Sequence, residues 1–207
     1  MDDGELLDRW RGGDRAAGSQ LFDRHYESVS RFFANKAGDT SAPDLVQNTF
    51  MALVESRDRF RGDAAFRTYL FATARNLLFK HYRTRQRQPE LDFGVTSLFD
   101  LSPSPSSLVA RSREERLLLD ALCRIPLDYQ VVLELYYWEA MTAAEIGAVL
   151  GVPEGTARTR LRRGKELVQA EMAARAESPE LLESTVRNLD QWAAGLRQLA
   201  TPPPGRR

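Results

Sequence analysis

The sequence predicts an all-α protein: two small helical domains joined by a flexible linker, the second a helix-turn-helix domain, followed by a C-terminal helical extension. Apolar residues recur at helical spacing along most of the chain, as is typical of amphipathic helices. No stretch alternates with period two for long enough to argue for a sheet. Residues 88–107 are rich in proline and serine, which predicts the linker. We therefore place the segments at 1–87, 88–107, 108–175 and 176–207.

Composition predicts a protein that does not enter the membrane. The 207 residues are 43% hydrophobic, enough for real cores. The N-terminus is acidic and no apolar run approaches about eighteen residues, so a cytoplasmic location is expected. Cys123 has no second cysteine to pair with, and His25 and His81 lie far apart. We therefore expect no metal site and no cofactor.

Four apolar stripes predict four helices in the first domain. The first helix should end at the Gly-Gly pair of residues 12–13. The third is expected to begin at Ser41, with Asp44 at the position of a capping box, and to turn Gln47 and Asn48 outward. The stripes contain Leu6, Leu7 and Trp10; Leu21, Phe22, Tyr26, Val29 and Phe32; Val46, Phe50 and Leu53; and Phe66, Leu70 and Leu77.

Charge is segregated along a chain whose formal net charge is zero. Residues 57–87 hold nine basic residues, against the two acidic residues Asp58 and Asp63. Aromatic residues are interleaved with these cations, a composition that suits unpaired nucleic acid because rings stack on bases and cations follow phosphates. The alternative is that the aromatics, which lie at helical spacing, form the core. The cations therefore carry the functional interpretation.

The segment from Met141 to Gln169 predicts a helix-turn-helix. Thr142 and Glu145 form a capping box for the first helix. Gly151 suits the left-handed turn that ends it, and Pro153 can open the second helix because the first helical position needs no amide hydrogen. Two short helices joined by such a turn are the DNA-binding motif.

The second helix of this motif should be basic on its free side. Its apolar face contains Ala157, Leu161, Gly164 and Val168. Residues 155–165 include five basic residues and no acidic one, which suits a helix in the major groove, where arginine can grip guanine. An ordinary solvated face is the alternative, but such faces usually mix charges of both signs.

These features together resemble the extracytoplasmic-function group of bacterial RNA polymerase sigma factors over about residues 5 to 172. Residues 44–50 (DLVQNTF) are similar to the family's polymerase-binding helix. Phe60-Arg61-Gly62 and residues 66–76 (FRTYLFATARN) are similar to its promoter-melting segment. Ile125-Pro126, with the helix-turn-helix, resembles its C-terminal promoter-reading domain. The three stretches occur in the family's order.

The resemblance implies a transcription initiation factor without catalytic activity, whose partners are core RNA polymerase (β′ clamp helices and β flap), promoter DNA in duplex and single-stranded form, and an anti-sigma protein. Polymerase contacts would come from Asp44, Gln47 and Asn48. Minus-ten contacts would come from Arg59, Phe60, Arg61, Gly62, Asp63, Arg67, Asn76 and Lys80. Minus-thirty-five contacts would come from Arg158, Thr159, Arg160, Arg162, Arg163 and Lys165.

Three features depart from the family pattern. Tyr69 stands where the family commonly has tryptophan, and Pro43 occupies a position that is often acidic. Beyond Arg175, Ser178 and Pro179 open an additional helix with a stripe of Leu182, Val186, Leu189, Ala193 and Leu196. This helix either packs on the protein's own domains or makes a regulatory contact.

Two other functions remain open at this stage. A helix-turn-helix regulator that acts without being a polymerase subunit would bind duplex DNA, but it leaves the basic segment of residues 57–87 unexplained. An enzyme with an incidental helix-turn-helix lacks support, because the sequence has no glycine-rich phosphate loop, metal-ligand cluster or nucleophile motif.

Overall fold

The structure is a computed structural model that describes residues 1–57, 65–101, 112–188 and 191, without the side chains of Asn35 and Asp39. Three helices form an N-terminal bundle: α1 (Asp3–Arg11), α2 (Arg15–Ser56) and α3 (Phe66–Gln86). Helix α1 begins with a capping box in which Asp2 and Glu5 exchange hydrogen bonds of 2.9 Å with each other's backbone amides. Within the described ranges the chain forms helices and no strand, as the sequence predicts.

The sequence predicts that a new helix begins at Ser41, but this residue lies inside the long helix α2, which contains one break. The break lies earlier, at Gly38, whose φ of 68° and ψ of 165° are not helical. A positive φ is open to glycine because glycine has no Cβ. The expected cap at Ser41 is therefore wrong: Ser41 and Asp44 lie inside the second half of α2, which continues through Pro43 to Ser56.

Helix α3 packs one face into the bundle. Its buried row runs through Phe66, Leu70, Ala74, Leu78 and Tyr82, at the i, i+4 spacing of a single helix face. Leu77, expected in the core, is only partly buried at its edge. Helix α3 ends at Arg87, which adopts a left-handed conformation with φ of 55°.

The described part of the linker is folded onto the helices. A single-turn helix, α4 (Leu98–Leu101), follows the segment of residues 88–97. Leu98 and Leu101 are buried within the chain, whereas Phe99 lies under the Arg124 guanidinium at 4.0 Å from the ring centre. Two of the three apolar side chains of this segment are thus covered by the protein itself. The rest of the predicted linker, from residue 102, lies outside the described residues.

Four helices form a C-terminal bundle: α5 (Arg113–Arg124), α6 (Leu127–Tyr137), α7 (Ala143–Leu150) and α8 (Glu154–Arg175). A further helix, α9 (Pro179–Arg187), is capped by Ser178 and packs on α5 and α8. Leu181, Leu182 and Val186 lie against this bundle, so the described part of the C-terminal extension packs on the protein's own helices. The remaining stripe residues, Leu189, Ala193 and Leu196, lie outside the described residues.

The two bundles are in contact through a shared core. Helix α7 packs on α3, and Leu127, Val131 and Leu135 of α6 belong to the same buried cluster as the residues of α1 to α3. All three α6 side chains are fully buried. A second cluster is formed by α5, α6 and α8 with the edge of α9. Helices α6 and α7 therefore both join the two halves.

Candidate nucleic-acid interface

The turn between α7 and α8 has the geometry of a helix-turn-helix. The hydroxyl of Thr142 accepts from the Glu145 amide, and the Glu145 carboxylate accepts from the Thr142 amide at 2.7 Å. Gly151 ends α7 with φ of 69°. Helix α8 starts at Glu154 with Pro153 as its cap residue, so the proline lies one position earlier than expected. At Gly147 a Cβ atom would lie 2.8 Å from the Val152 carbonyl oxygen, and glycine therefore permits the close approach.

Helix α8 packs its apolar face and leaves its basic face in solvent. Ala157, Gly164 and Val168 are buried and Leu161 is half-buried, which confirms the predicted packing face. Gly164 lies directly against Leu133 of α6, since a Cβ there would meet that side chain at 3.2 Å. The close contact fixes the orientation of α8 and turns the opposite face outward.

Four of the six predicted minus-thirty-five residues are exposed. Arg158, Arg162 and Arg163 have side-chain exposures of 71%, 73% and 57%, and Thr159 is also exposed. Arg162 and Arg163 pair with Glu166 at 2.9 and 3.2 Å, and Arg158 pairs with Glu154. Exposed pairs of this kind contribute at most about 1 kcal/mol, so phosphates or bases can replace the glutamates.

The other two predicted residues of α8, Arg160 and Lys165, do not point away from the protein with the exposed arginines. Arg160 is half-buried and lies 3.7 Å from the Asp128 carboxylate of α6. Lys165 lies over the rings of Tyr136 and Tyr137, at 4.9 and 5.1 Å. The structure therefore does not bring Arg160 and Lys165 to the free face of α8.

The predicted minus-ten residues fall into three groups: exposed, half-buried, and outside the described residues. Asn76 and Lys80 are exposed on α3, beside an open cleft of about 370 Å³ that Asn76 lines. Arg67 is half-buried and bonded to Glu139 at 2.9 Å. Arg59, Phe60, Arg61, Gly62 and Asp63 lie outside the described residues.

The aromatic residues of α3 serve the core. Phe66, Phe71, Phe79 and Tyr82 are buried, and burial raises the pKa of Tyr82 to about 12. Tyr69, half-buried, donates to the Ser56 hydroxyl at 2.6 Å. The buried rings of Phe66, Phe71, Phe79 and Tyr82 are not available to stack on bases in this arrangement. For these four residues the alternative interpretation, that the aromatics form the core, therefore holds.

The predicted polymerase-binding residues share one exposed face. Asp44, Gln47 and Asn48 all lie in solvent on the second half of α2. The opposite side of this segment is buried through Leu45, Val46 and Thr49, with the Thr49 hydroxyl donating to the Leu45 carbonyl at 2.7 Å. Packing of the apolar side thus presents an acid-and-amide face.

The sequence patterns do not single out the charged residues that cross between the bundles. Arg75 donates to Asp128 at 2.7 Å and stacks over the Phe79 ring at 4.2 Å. Glu134 and Glu139 are buried among cations of the N-terminal bundle. The available signal is Glu134 in the apolar run VVLELYYW, where a carboxylate needs a partner if it is buried.

The described residues show neither a metal-binding cluster nor a membrane-crossing helix. Within ranges 1–57, 65–101 and 112–188 no group of three or more histidine, cysteine or acidic side chains could hold a metal ion. Over the same part of the chain, no helix is both long and apolar enough to cross a membrane.

Comparisons with known proteins match both halves of the chain to one family. Residues 21–88 match Sigma-70 region 2, and residues 115–168 match Sigma-70, region 4. The ECF RNA polymerase sigma-E factor of Haemophilus influenzae is 29% identical over 180 residues, covering 82% of this chain and 94% of the relative.

Two solved structures share the fold. CnrH in complex with the cytosolic domain of CnrY has a TM-score of 0.60 and 22% identity, covering 84% of this chain and 99% of that one. The sigma factor RpoE in complex with the anti-sigma factor NepR from Bartonella quintana has a TM-score of 0.58 and 20% identity, covering 77% and 98%.

Proposed function

Because the chain belongs to the extracytoplasmic-function group of bacterial RNA polymerase sigma factors, and is thus a transcription initiation factor that binds core polymerase, we propose that it applies two DNA-reading surfaces to one promoter. The C-terminal helix-turn-helix reads the minus-thirty-five element as duplex, and the N-terminal bundle opens the minus-ten region. The observation that carries this proposal is the row of exposed arginines on α8 opposite a packed apolar face. The chain supplies no catalysis, since the polymerase performs the chemistry.

The exposed face of α8 recognises the minus-thirty-five duplex in this proposal. Arg158, Arg162 and Arg163 reach the major groove with Thr159 beside them, and a guanidinium can donate two hydrogen bonds to a guanine edge. Arg160 and Lys165, which lie to the side, would contact phosphates at the groove's rim. Phosphate contacts position the helix, while base contacts supply sequence preference.

Opening of the minus-ten region falls to α3 and the segment before it. Flipping a base out of the duplex costs a few kcal/mol, which contacts to the displaced strand must offset. Asn76 lines an open cleft, and Lys80 is exposed one helical turn further along α3, which supports a role for both. Residues 59–63 and Arg67 complete the proposed surface.

Polymerase binding falls to the exposed face of α2. Asp44, Gln47 and Asn48 would dock on the clamp helices of the β′ subunit, and the C-terminal bundle would contact the β flap. An anti-sigma protein is a further proposed partner, supported by the matching fold of RpoE in its complex with the anti-sigma factor NepR. We also propose a cytoplasmic location, because a sigma factor acts where the polymerase does.

Mixing the purified chain with core polymerase tests this function. We expect co-elution and transcription from a defined promoter. Gln47→Ala should weaken co-elution, whereas Gln20→Ala, the same change at another exposed position of α2, should not. Duplex binding without co-elution or transcription would instead identify a conventional regulator.

A further inference from the structure

A row of acidic residues on and just after α6 faces cations of the N-terminal bundle. The acids come from the C-terminal bundle and the cations from α2 and α3, so every pair crosses between the two halves of the chain. The pairs are Asp128 with Arg75, Glu134 with Lys36, and Glu139 with both Arg31 and Arg67.

The pair of Lys36 and Glu134 is fully enclosed. The two side chains are 0% and 3% exposed. Lys36 also donates to the Phe32 carbonyl at 2.7 Å, and Gln130 donates to Glu134 at 3.0 Å. Burial lowers the pKa of Lys36 and raises the pKa of Glu134. Each ion is therefore tolerated only because the other half of the chain supplies its partner.

Glu139 joins two arginines of the N-terminal bundle. It accepts from Arg31 at 2.7 Å and from Arg67 at 2.9 Å. Burial opposes its ionisation, but the hydrogen bonds and charges of the two arginines outweigh burial and hold the pKa of Glu139 below its usual value. Arg67 is one of the cations proposed for minus-ten DNA, and it cannot bind Glu139 and DNA with the same donors.

Asp128 links the two proposed DNA-reading surfaces to each other. Its carboxylate accepts from Arg75 of α3 at 2.7 Å and lies 3.7 Å from Arg160 of α8. One acidic side chain of α6 thus pairs with Arg160 of the proposed duplex-reading helix and with Arg75, which lines the same cleft as Asn76. A phosphate that binds Arg75 or Arg160 would have to compete with this carboxylate.

The linker reinforces this arrangement at the start of α6. Pro126, the cap residue of α6, makes no side-chain cap, and linker carbonyls serve instead: the amides of Leu127 and Asp128 donate to Thr96 and Phe93 at 2.9 and 3.0 Å. Phe93 also stacks on Phe79 of α3 at 4.0 Å. The linker therefore binds both halves while it satisfies helix-end donors.

A promoter cannot be read in this arrangement. By their names, the minus-ten and minus-thirty-five elements are about 25 base pairs apart, or about 85 Å at the rise of B-DNA. A compact chain of this length has a radius of gyration of about 17 Å and is therefore only about 45 Å across. The 24 residues from 88 to 111 can extend to about 80 Å. Reading both elements therefore requires the linker to leave α3 and the bundles to separate.

From these contacts we infer that the acidic residues of α6 and Glu139 form an internal latch, which holds the two bundles closed and occupies cations that promoter DNA would bind. The latch consists of Asp128, Glu134 and Glu139. Opening it frees Arg67, Arg75 and Arg160 for DNA. This inference rests on the proposed function, because the closed state is inactive only if the two surfaces must bind separate elements.

Charge reversal at the enclosed pair tests the latch. Glu134→Lys places two ammonium groups together and should open the chain, and the exchanged pair Lys36→Glu/Glu134→Lys should close it again. Glu183→Lys makes the same charge change at an exposed position of α9 and serves as the control. If circular dichroism shows that Glu134→Lys does not fold, Asp128→Asn, at the partly exposed rim, takes its place.

Three readouts report opening. The radius of gyration from X-ray scattering should rise. The sole cysteine, Cys123, is a built-in reporter: burial, with the charges of Glu134 and Asp120, raises its pKa to about 11 from an ordinary 9.0. Its reaction with an aromatic disulfide at pH 8 should therefore accelerate by up to about a hundredfold on opening, and it is measured in Asp128→Asn, which leaves the charge of Glu134 in place. The salt dependence of binding to a random DNA duplex should steepen by about 2–3, one for each freed cation.

The outcomes separate the latch from the proposed function. Opening in Glu134→Lys and closure in the exchanged pair, with Glu183→Lys like the wild type, support the latch. A folded Glu134→Lys chain with the radius of the wild type overturns it, as does an Asp128→Asn chain whose thiol rate and salt slope are unchanged. Failure of the wild-type chain to start transcription with core polymerase rejects the proposed function, while scattering and thiol reactivity still decide the latch.

Discussion

Replacing Arg162 with alanine should weaken binding to the minus-thirty-five duplex by about 1–3 kcal/mol, roughly 5- to 150-fold, if its guanidinium grips a base edge. The structure supports a clean measurement. The Arg162 side chain is 73% exposed and pairs with Glu166 at 2.9 Å, an i, i+4 pair that contributes about 0.3–0.5 kcal/mol to stability. Loss of this pair is smaller than the expected loss of binding, so the fold should be unaffected.

Arg162→Lys distinguishes a base contact from a phosphate contact. Lysine keeps the charge but lacks the two parallel donors. If Arg162 reads a base, both variants should bind the specific duplex weakly and retain non-specific affinity, as measured by fluorescence anisotropy. If it binds a phosphate, lysine should restore affinity, and alanine should reduce the salt slope by about one.

The control for this experiment is Arg113→Ala, which removes an arginine of similar exposure on α5. It should leave duplex recognition unchanged. Polymerase co-elution should be the same for all four proteins. An Arg162→Ala chain that loses polymerase binding, or that recognises the specific duplex as well as the wild type does, would refute the assignment of α8.

Three further predictions concern stability. Gly147→Ala should lower the free energy of unfolding in urea by about 1–3 kcal/mol, because its Cβ would lie 2.8 Å from a backbone oxygen of Val152. Gly155→Ala, with nothing within 4 Å, should be neutral or stabilising by up to about 1 kcal/mol, and equal losses would contradict the packing. The raised pKa of Tyr82, about 12, means that the unfolded chain releases this proton near pH 10 while the folded chain keeps it. The free energy of unfolding should therefore fall by about 1.4 kcal/mol per pH unit from pH 10 to about 12, and Tyr82→Phe should lack this component. Deleting residues 177–207 should lower the free energy of unfolding by roughly 2–4 kcal/mol, because three apolar side chains of α9 leave the C-terminal bundle; unchanged stability and transcription would contradict both interpretations of this extension.

Local signals explain why the helix-turn-helix could be predicted from the sequence. Thr142 and Glu145 cap each other within one turn, and Gly151 takes the left-handed conformation that glycine favours. Ala157 and Val168 lie on the face that helical spacing assigns to the core. Each of these features depends on residues within a few positions, so the pattern contains the information.

Features that depend on distant residues could not be predicted in this way. The break in α2 lies at Gly38 rather than Ser41. The cap-like pattern at Ser41 does not show which nearby residue bends, because that choice depends on the tertiary fold. Glu134 reads as one polar position in an apolar run, and its partner Lys36 is 98 residues away. Arg67 reads as a free DNA contact until Glu139 is placed beside it.

The two proposed DNA-binding surfaces differ in how their cations are neutralised, and this difference implies an order of binding. On α8, Arg162 and Arg163 are held by the exposed Glu166, and exposed pairs contribute at most about 1 kcal/mol. On α3, Arg67 is held by the buried Glu139, and withdrawing a cation from a buried carboxylate costs more than withdrawing it from an exposed one, because water cannot take its place. DNA can therefore displace Glu166 without rearranging the protein, but it can reach Arg67 only after the bundles part. If the proposed function holds, contact with the minus-thirty-five duplex precedes contact with the minus-ten region unless the polymerase opens the latch first.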